Sequence, residues 1–269
     1  MRLKSIATDR SPLGPDRVRL IGNVAYADGT DQQYWFDVRE QYAEYLSDSG
    51  NPWLITLLPL AAATFEPLRI ELPVDRLLYE NIRELMYAWR AWFPELPLVE
   101  IAAEPADAPA EPERTRTGQF FTGGVDSCFT ALKHTRDFSA DAPLEVDDLI
   151  SIGGYDIPLK HADAYAGRYA RQEEFAAATG KELVDIYTNA RETTIARIGE
   201  VGRLDPSFWY KICHACGLSG LAHALEKRYR KVMISSSYTY GEFSSVPYGT
   251  NPLTDHLLST RGLNAFHYG

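Results

Sequence analysis

Phe120-Phe121-Thr122-Gly123-Gly124-Val125-Asp126-Ser127-Cys128-Phe129-Thr130-Ala131-Leu132 decides how this chain is read. An apolar run ends in two glycines, an acidic residue and a hydroxyl, after which the apolar spacing becomes helical. That order predicts a buried strand, a tight turn and a helix start. Glycine tolerates positive φ and lets backbone approach a ligand, while the first N–H groups of a helix have no partner inside it. The turn is therefore an anion site. Thr122 and Ser127 add hydroxyls on either side, so the expected ligand is a phosphate chain at the helix N-terminus.

Spacing excludes two common phosphate loops: there is no Gly-x-x-x-x-Gly-Lys-Ser/Thr, and Gly123-Gly124 lacks the third glycine of the dinucleotide fingerprint. Thr122-Gly123-Gly124-Val125-Asp126-Ser127 resembles instead the PP-loop of the ATP pyrophosphatase superfamily, Ser-Gly-Gly-x-Asp-Ser, with threonine keeping the first hydroxyl. Two further segments, Ile234 to Tyr240 and Pro247 to Asp255, are similar to an uncharacterised branch of that superfamily whose chains run on past the point where this one ends. The resemblance implies ATP and Mg²⁺ as cofactors and cleavage of ATP to AMP and pyrophosphate. It also implies an adenylated carboxylate or amide oxygen, attacked by a nitrogen nucleophile. Under it Thr122, Gly123, Gly124, Val125, Asp126, Ser127 and Ser236 hold the nucleotide, and the backbone of Ile152 and Gly153 holds the adenine.

Around this stretch the chain divides. Pro105, Pro109 and Pro112 lie among Ala and Glu between residues 102 and 117, a composition that reads as a linker. Residues 1–101 then form a small α+β domain and 118–269 an α/β domain, an open parallel sheet with helices on both faces. In the first part Val18–Val24, Tyr34–Val38 and Leu68–Leu72 read as strands. Trp53–Leu60 is strand or buried segment, since periodicity does not separate the two. A helix opens after Pro73-Val74-Asp75 with Leu77, Leu78, Ile82, Leu85, Met86 and Trp89 along one stripe. Past the phosphate turn, strands are predicted at Asp148–Gly154, Glu182–Thr188, Lys231–Ser236 and Leu263–His267. Helices are predicted over 160–179, ending at Gly180, and over 208–230. Strand-to-helix alternation is the mark of a parallel sheet, whose ligands sit at the carboxyl ends of strands where strand order reverses.

Asp126 is the leading functional carboxylate: beside phosphates it needs a cation between, so its expected task is to organise Mg²⁺, with helix capping as the plainer alternative. Asp156 and Asp255 are weaker metal candidates, better read as turn residues. Lys211 and Arg191 are the candidates to neutralise the leaving pyrophosphate. Cys213-His214-Ala215-Cys216 has the spacing of a metal or redox pair, and with Cys128 and His214 a ligand set can be drawn. On a helix, however, residues three apart share a packed face, and the thiols read as buried. Sulfur transfer through Cys213 and Cys216 is the alternative enzyme reading, and a non-catalytic nucleotide-binding protein the alternative outside enzymes. His214 and His223 read as packing residues. The hydroxyls from Ser235 to Tyr240 have no neighbouring His-Asp pair, which argues against a serine hydrolase.

The 269 residues are 45% hydrophobic and 12% aromatic, which suits a folded core. A net charge of -10 disfavours nucleic acid as partner, while the resemblance implies a small-molecule or protein-borne acceptor. No apolar run reaches membrane-span length, no secretory segment follows Met1, and three cysteines suit a reducing compartment, so a cytoplasmic protein is expected. Homodimerisation through an uncovered sheet edge is a further expectation.

Overall fold

Strand and helix formers alternate along most of the chain. The computed structural model, which describes residues 1–107, 116–135, 145–201, 207–243 and 247–268, turns that alternation into one ten-stranded sheet. Three strands come first: β1 (Arg2–Arg10), β2 (Arg17–Ala25) and β3 (Asp31–Arg39). Then α1 (Asn51–Thr64), β4 (Leu68–Asp75), α2 (Arg76–Trp92) and β5 (Ile101–Ala106) follow. Next come β6 (Arg116–Phe120), α3 (Val125–Lys133), β7 (Asp148–Gly153), α4 (Ala162–Ala178), β8 (Glu182–Thr188) and α5 (Ala190–Val201). The last are α6 (His214–Ala224), β9 (Tyr229–Ser235) and β10 (Asn264–Tyr268).

The order across the sheet is β10-β9-β6-β7-β8-β3-β2-β1-β4-β5. Neighbours run parallel except at β1/β2, β2/β3 and β3/β8. The fold class is thus α/β. The segments read as separate units share this sheet: Phe36, Asp37 and Val38 pair with Thr188, Tyr187 and Ile186 across the seam. They also share a core, in which Trp53 of α1 meets Phe36 at 5.3 Å between ring centres. The stretch expected as linker supplies β5 and the first residues of β6, while residues 108–115 lie outside the described ones.

Sequence and structure part where local signals conflict. Trp53–Leu60 belongs to α1, whose residues are buried on every side, so it carries no amphipathic period to read. β1 went unseen because only Leu3 of its nine residues is buried. α2 opens after Asp75 as expected, and Asp75 caps it by accepting from the N–H groups of Leu77 and Leu78. α5, which the sequence reading did not include, begins at Ala190. The long helix predicted over 208–230 is instead a π-helical turn at Trp209–Cys213, then α6, then a turn into β9 at Tyr229.

These elements fix where a ligand can bind. β6, β7 and β8 step outward in one direction, and β9 and β10 are added on the other side of β6. Strand order therefore reverses between β6 and β9, and a crevice opens at their carboxyl ends. Ala131 of α3 and Ala176 of α4 cover one face there, packed with Phe121, Leu149 and Met233. α6 covers the other. Among the described residues no helix is long and apolar enough to cross a membrane.

Candidate active site

The turn after β6 sits at this reversal. Phe121 still pairs with the sheet, its N–H donating to Ile150 at 2.9 Å. Gly123 then takes φ +80, a conformation that costs a side chain-bearing residue about 1–2 kcal/mol. Gly124 precedes the first turn of α3 with no side-chain cap, which leaves the leading N–H groups of the helix for a ligand. The hydroxyls lock the turn rather than fill it. Thr122 Oγ1 accepts from the Gly124 N–H at 3.2 Å, and Ser127 Oγ donates to the Gly124 carbonyl at 2.9 Å.

Two cavities flank the turn. One of about 310 Å³ runs from Thr122, Asp126 and Ser127 past Ile150, Ile152 and Ile234 to Tyr155, His214, Tyr238 and Tyr248. The other, about 270 Å³, lies against Gly123, Gly124, Arg171, Gln172 and Phe175. Phe121, Thr122 and Arg168 line both.

Arg168 went unremarked in the sequence because a cation on an amphipathic helix gives no sign of facing inward. It reaches the Ile152 carbonyl at 2.6 Å, while its ion pair with Asp156 is loose, at 3.5 Å. Its Nε is buried without a partner. Gln172, one turn along α4, donates to the Phe121 carbonyl at 2.6 Å and accepts from Ser151, so it braces the root of the turn.

Asp126 is exposed in the larger cavity and does not cap α3; its Oδ2 accepts from the Ser237 hydroxyl at 2.7 Å. This bond joins the loop after β6 to the loop after β9. Ser236 is occupied in its own turn, donating to the Tyr238 carbonyl at 2.9 Å, so Ser235 and Ser237 line the cavity in its place. Ile152 lines it. Gly153 does not: a Cβ there would lie 2.3 Å from the Tyr187 ring, so close packing explains this glycine.

The remaining sequence candidates lie elsewhere. Arg191 donates to the Tyr155 carbonyl and to the Tyr210 hydroxyl, holding the cavity wall from behind. Lys211 is exposed and lies over the Phe93 ring, away from the turn. Cys213 and Cys216 are buried in the core and line neither cavity; burial raises both thiols well above their ordinary range, which suppresses thiolate chemistry. Burial likewise raises Cys128. His223 is a packing residue, its Nδ1 2.8 Å from the Ser219 carbonyl. Among the described residues no group of three or more His, Cys, Asp or Glu is placed to hold a metal by itself.

Asp255 and His267 form a buried pair at 2.8 Å that is distant in sequence and was not read there. Burial raises the Asp255 carboxyl, and the imidazole opposes this. His267 Nε2 has no partner, so among the described residues no serine completes a triad.

The π-helical turn builds the far wall of the larger cavity. Widening a helix opens its hydrogen-bond ladder. Here Gly249 closes the gap, donating to the Tyr210 carbonyl at 2.8 Å and accepting from the Ala215 N–H at 3.2 Å. A Cβ on Gly249 would stand 2.7 Å from that carbonyl. The clasp sets Tyr248 near His214, at 5.9 Å between ring centres, with Tyr155 at 5.4 Å on His214's other side. The run from Pro247 to Asp255 was read only for its resemblance, and nothing in it announced this clasp.

Two ligand classes fit these walls. Hard oxygen donors on Asp126, Ser127 and Ser237 suit Mg²⁺, which takes one or two carboxylates and completes its shell with phosphate and water. Backbone amides with Arg168 and Arg171 suit phosphates, and the apolar and aromatic wall suits a planar base. Comparison with protein-family models, with curated proteins and with solved structures finds no match to this chain.

Proposed function

We propose that the chain is an ATP-dependent, AMP-forming enzyme that adenylates an acceptor oxygen. The observation that carries this reading is the uncapped N-terminus of α3, behind a positive-φ glycine, opening on two cavities that share an arginine at the sheet's reversal point. The triphosphate lies along the turn, and the nucleoside extends into the larger cavity. Mg²⁺, held by Asp126 and the Ser237 hydroxyl through its oxygen shell, supplies charge neutralisation on the phosphates when bound.

The acceptor is a carboxylate or amide oxygen. Its lone pair forms a bond to the α-phosphorus, the bond from that phosphorus to the β-bridging oxygen breaks, and pyrophosphate leaves with the electron pair. A nitrogen nucleophile then displaces AMP from the activated carbon. Negative charge grows on the departing pyrophosphate, so donors fixed beside it act most in the transition state. Arg168 and Arg171 occupy that place, rather than Lys211 and Arg191. Arg168's loose contact with Asp156 leaves its charge available to a phosphate.

A titration with a non-hydrolysable ATP analogue, with and without Mg²⁺, tests this on the wild type and on Asp126→Ala. Mg²⁺-dependent binding that the variant loses is expected. At a hundredfold excess over Kd it adds about 2.7 kcal/mol to stability. Absence of binding to the wild type overturns the proposal.

A further inference from the structure

The larger cavity ends in a group that the adenylation chemistry leaves unused. His214 opens α6 immediately after the π-helical turn, and its ring lines the cavity. Its Nδ1 is buried with no hydrogen-bond partner. No hydrogen bond of the described residues reaches the ring at all, although Tyr155 binds the same residue's backbone carbonyl. A buried, unpaired imidazole nitrogen costs free energy unless something polar meets it.

The surroundings say what would meet it. Tyr155 and Tyr248 flank the ring, Tyr238 packs edge-on against Tyr248 at 5.7 Å, and Leu218, Ile152 and Ile234 complete the wall. Apolar and aromatic walls that carry an unpartnered imidazole nitrogen, with Asp156 and Thr250 also on the lining, suit a planar heteroaromatic ring with polar edges. Burial, opposed by nearby Asp156, lowers the imidazole to about 4, so it is neutral near pH 7 and keeps one donor and one acceptor. The backbone acceptor expected to read adenine is already engaged, since the Ile152 carbonyl holds Arg168.

We infer that His214 is the residue that reads the nucleotide base, hydrogen-bonding its edge while the ring lies among Tyr155, Tyr248 and Leu218. This rests on the proposed nucleotide site and adds the side chain that separates a nucleotide from a bare phosphate chain. His214→Phe keeps a planar ring of similar size and removes both nitrogens.

Isothermal titration of the wild type and His214→Phe with α,β-methylene ATP and with inorganic tripolyphosphate, both with Mg²⁺, tests the inference. The variant is expected to lose tenfold or more in affinity for the methylene analogue and to bind tripolyphosphate within twofold of the wild type, which also shows that it is folded. In ¹⁵N spectra of the six histidines, the ring resonance missing from the variant should move with the analogue and stay in place with tripolyphosphate. Equal analogue affinity in both proteins, or a stationary His214 resonance, overturns the inference and leaves the nucleotide site standing. A wild type that binds neither ligand overturns both.

Discussion

Arg17→Met tests the seam that joins the first three strands to β8 and the strands beyond it. The guanidinium is buried and fully used: Nε meets Asp37 at 2.7 Å, one Nη meets Asp185 of β8 at 2.5 Å, and the other meets the Asp37 carbonyl at 3.0 Å. Three residue pairs connect β3 to β8, and Thr188 and Asn189 bond the Trp35 and Gln33 backbone beyond them, so this cluster is the charged link across the seam. Removing one partner of a buried pair costs about 3–5 kcal/mol, because a charge is left in a poorly solvating site. Here Asp37 keeps Arg19 at 3.0 Å and Asp185 keeps Arg39 at 2.7 Å. The low end of the range therefore applies, a loss of about 3 kcal/mol. Urea unfolding followed by tryptophan fluorescence measures it, and a double-mutant cycle with Asp185→Asn should return a coupling of about 1–3 kcal/mol. A loss below about 1 kcal/mol would refute the reasoning, by showing that Arg19 and Arg39 satisfy both carboxylates unaided.

Gly123→Ala meets no close neighbour, since its Cβ would approach only Gln172 Cγ at 3.8 Å; the strain of φ +80 alone should cost about 1–2 kcal/mol in urea unfolding, and the change should weaken tripolyphosphate binding. Gly249→Ala drives a Cβ into the Tyr210 carbonyl and against His214, so calorimetry should show a loss of about 1–3 kcal/mol together with loss of analogue binding. His214 gives stability a pH dependence of defined sign. Its folded value of about 4 lies below the ordinary 6.5, so between these values the unfolded chain binds more protons and stability falls as pH falls. The loss should reach about 2 kcal/mol at pH 5, and unfolding at pH 7 and pH 5 should show that much less dependence in His214→Phe. Cys213 and Cys216 should resist a thiol reagent in the native state and react on unfolding; fast native reaction at either would contradict their burial.

How far the site was legible depends on the range of each interaction. Thr122 to Ser127 announce themselves because a tight turn followed by a helix is a local arrangement, encoded by neighbours in sequence. Asp126 was found the same way, but its partner Ser237 lies 111 residues away and is joined to it only when the reversal of strand order sets β9 beside β6. Arg168 and Arg171 look like any solvated cations on α4. Lys211 looked equally good in sequence; the helix that carries it points its charge toward Phe93 instead.

The sequence by itself determined the alternation of strand and helix after the 102–117 stretch, the glycine turn and the helix that follows it, and the start of a helix after Asp75, because each rests on local backbone preference or on the apolar content of a short window. Only the tertiary structure decided that one sheet runs through both halves, that Trp53 to Leu60 is helical, and that a π-helical turn clasped by Gly249 turns His214 into the cavity wall. The first depends on an antiparallel pairing of β3 with β8, more than 140 positions apart in register. The second depends on a helix buried all round, where no period survives to be read. The third depends on a distant segment supplying the hydrogen bonds that a widened helix gives up, and no local preference encodes that exchange.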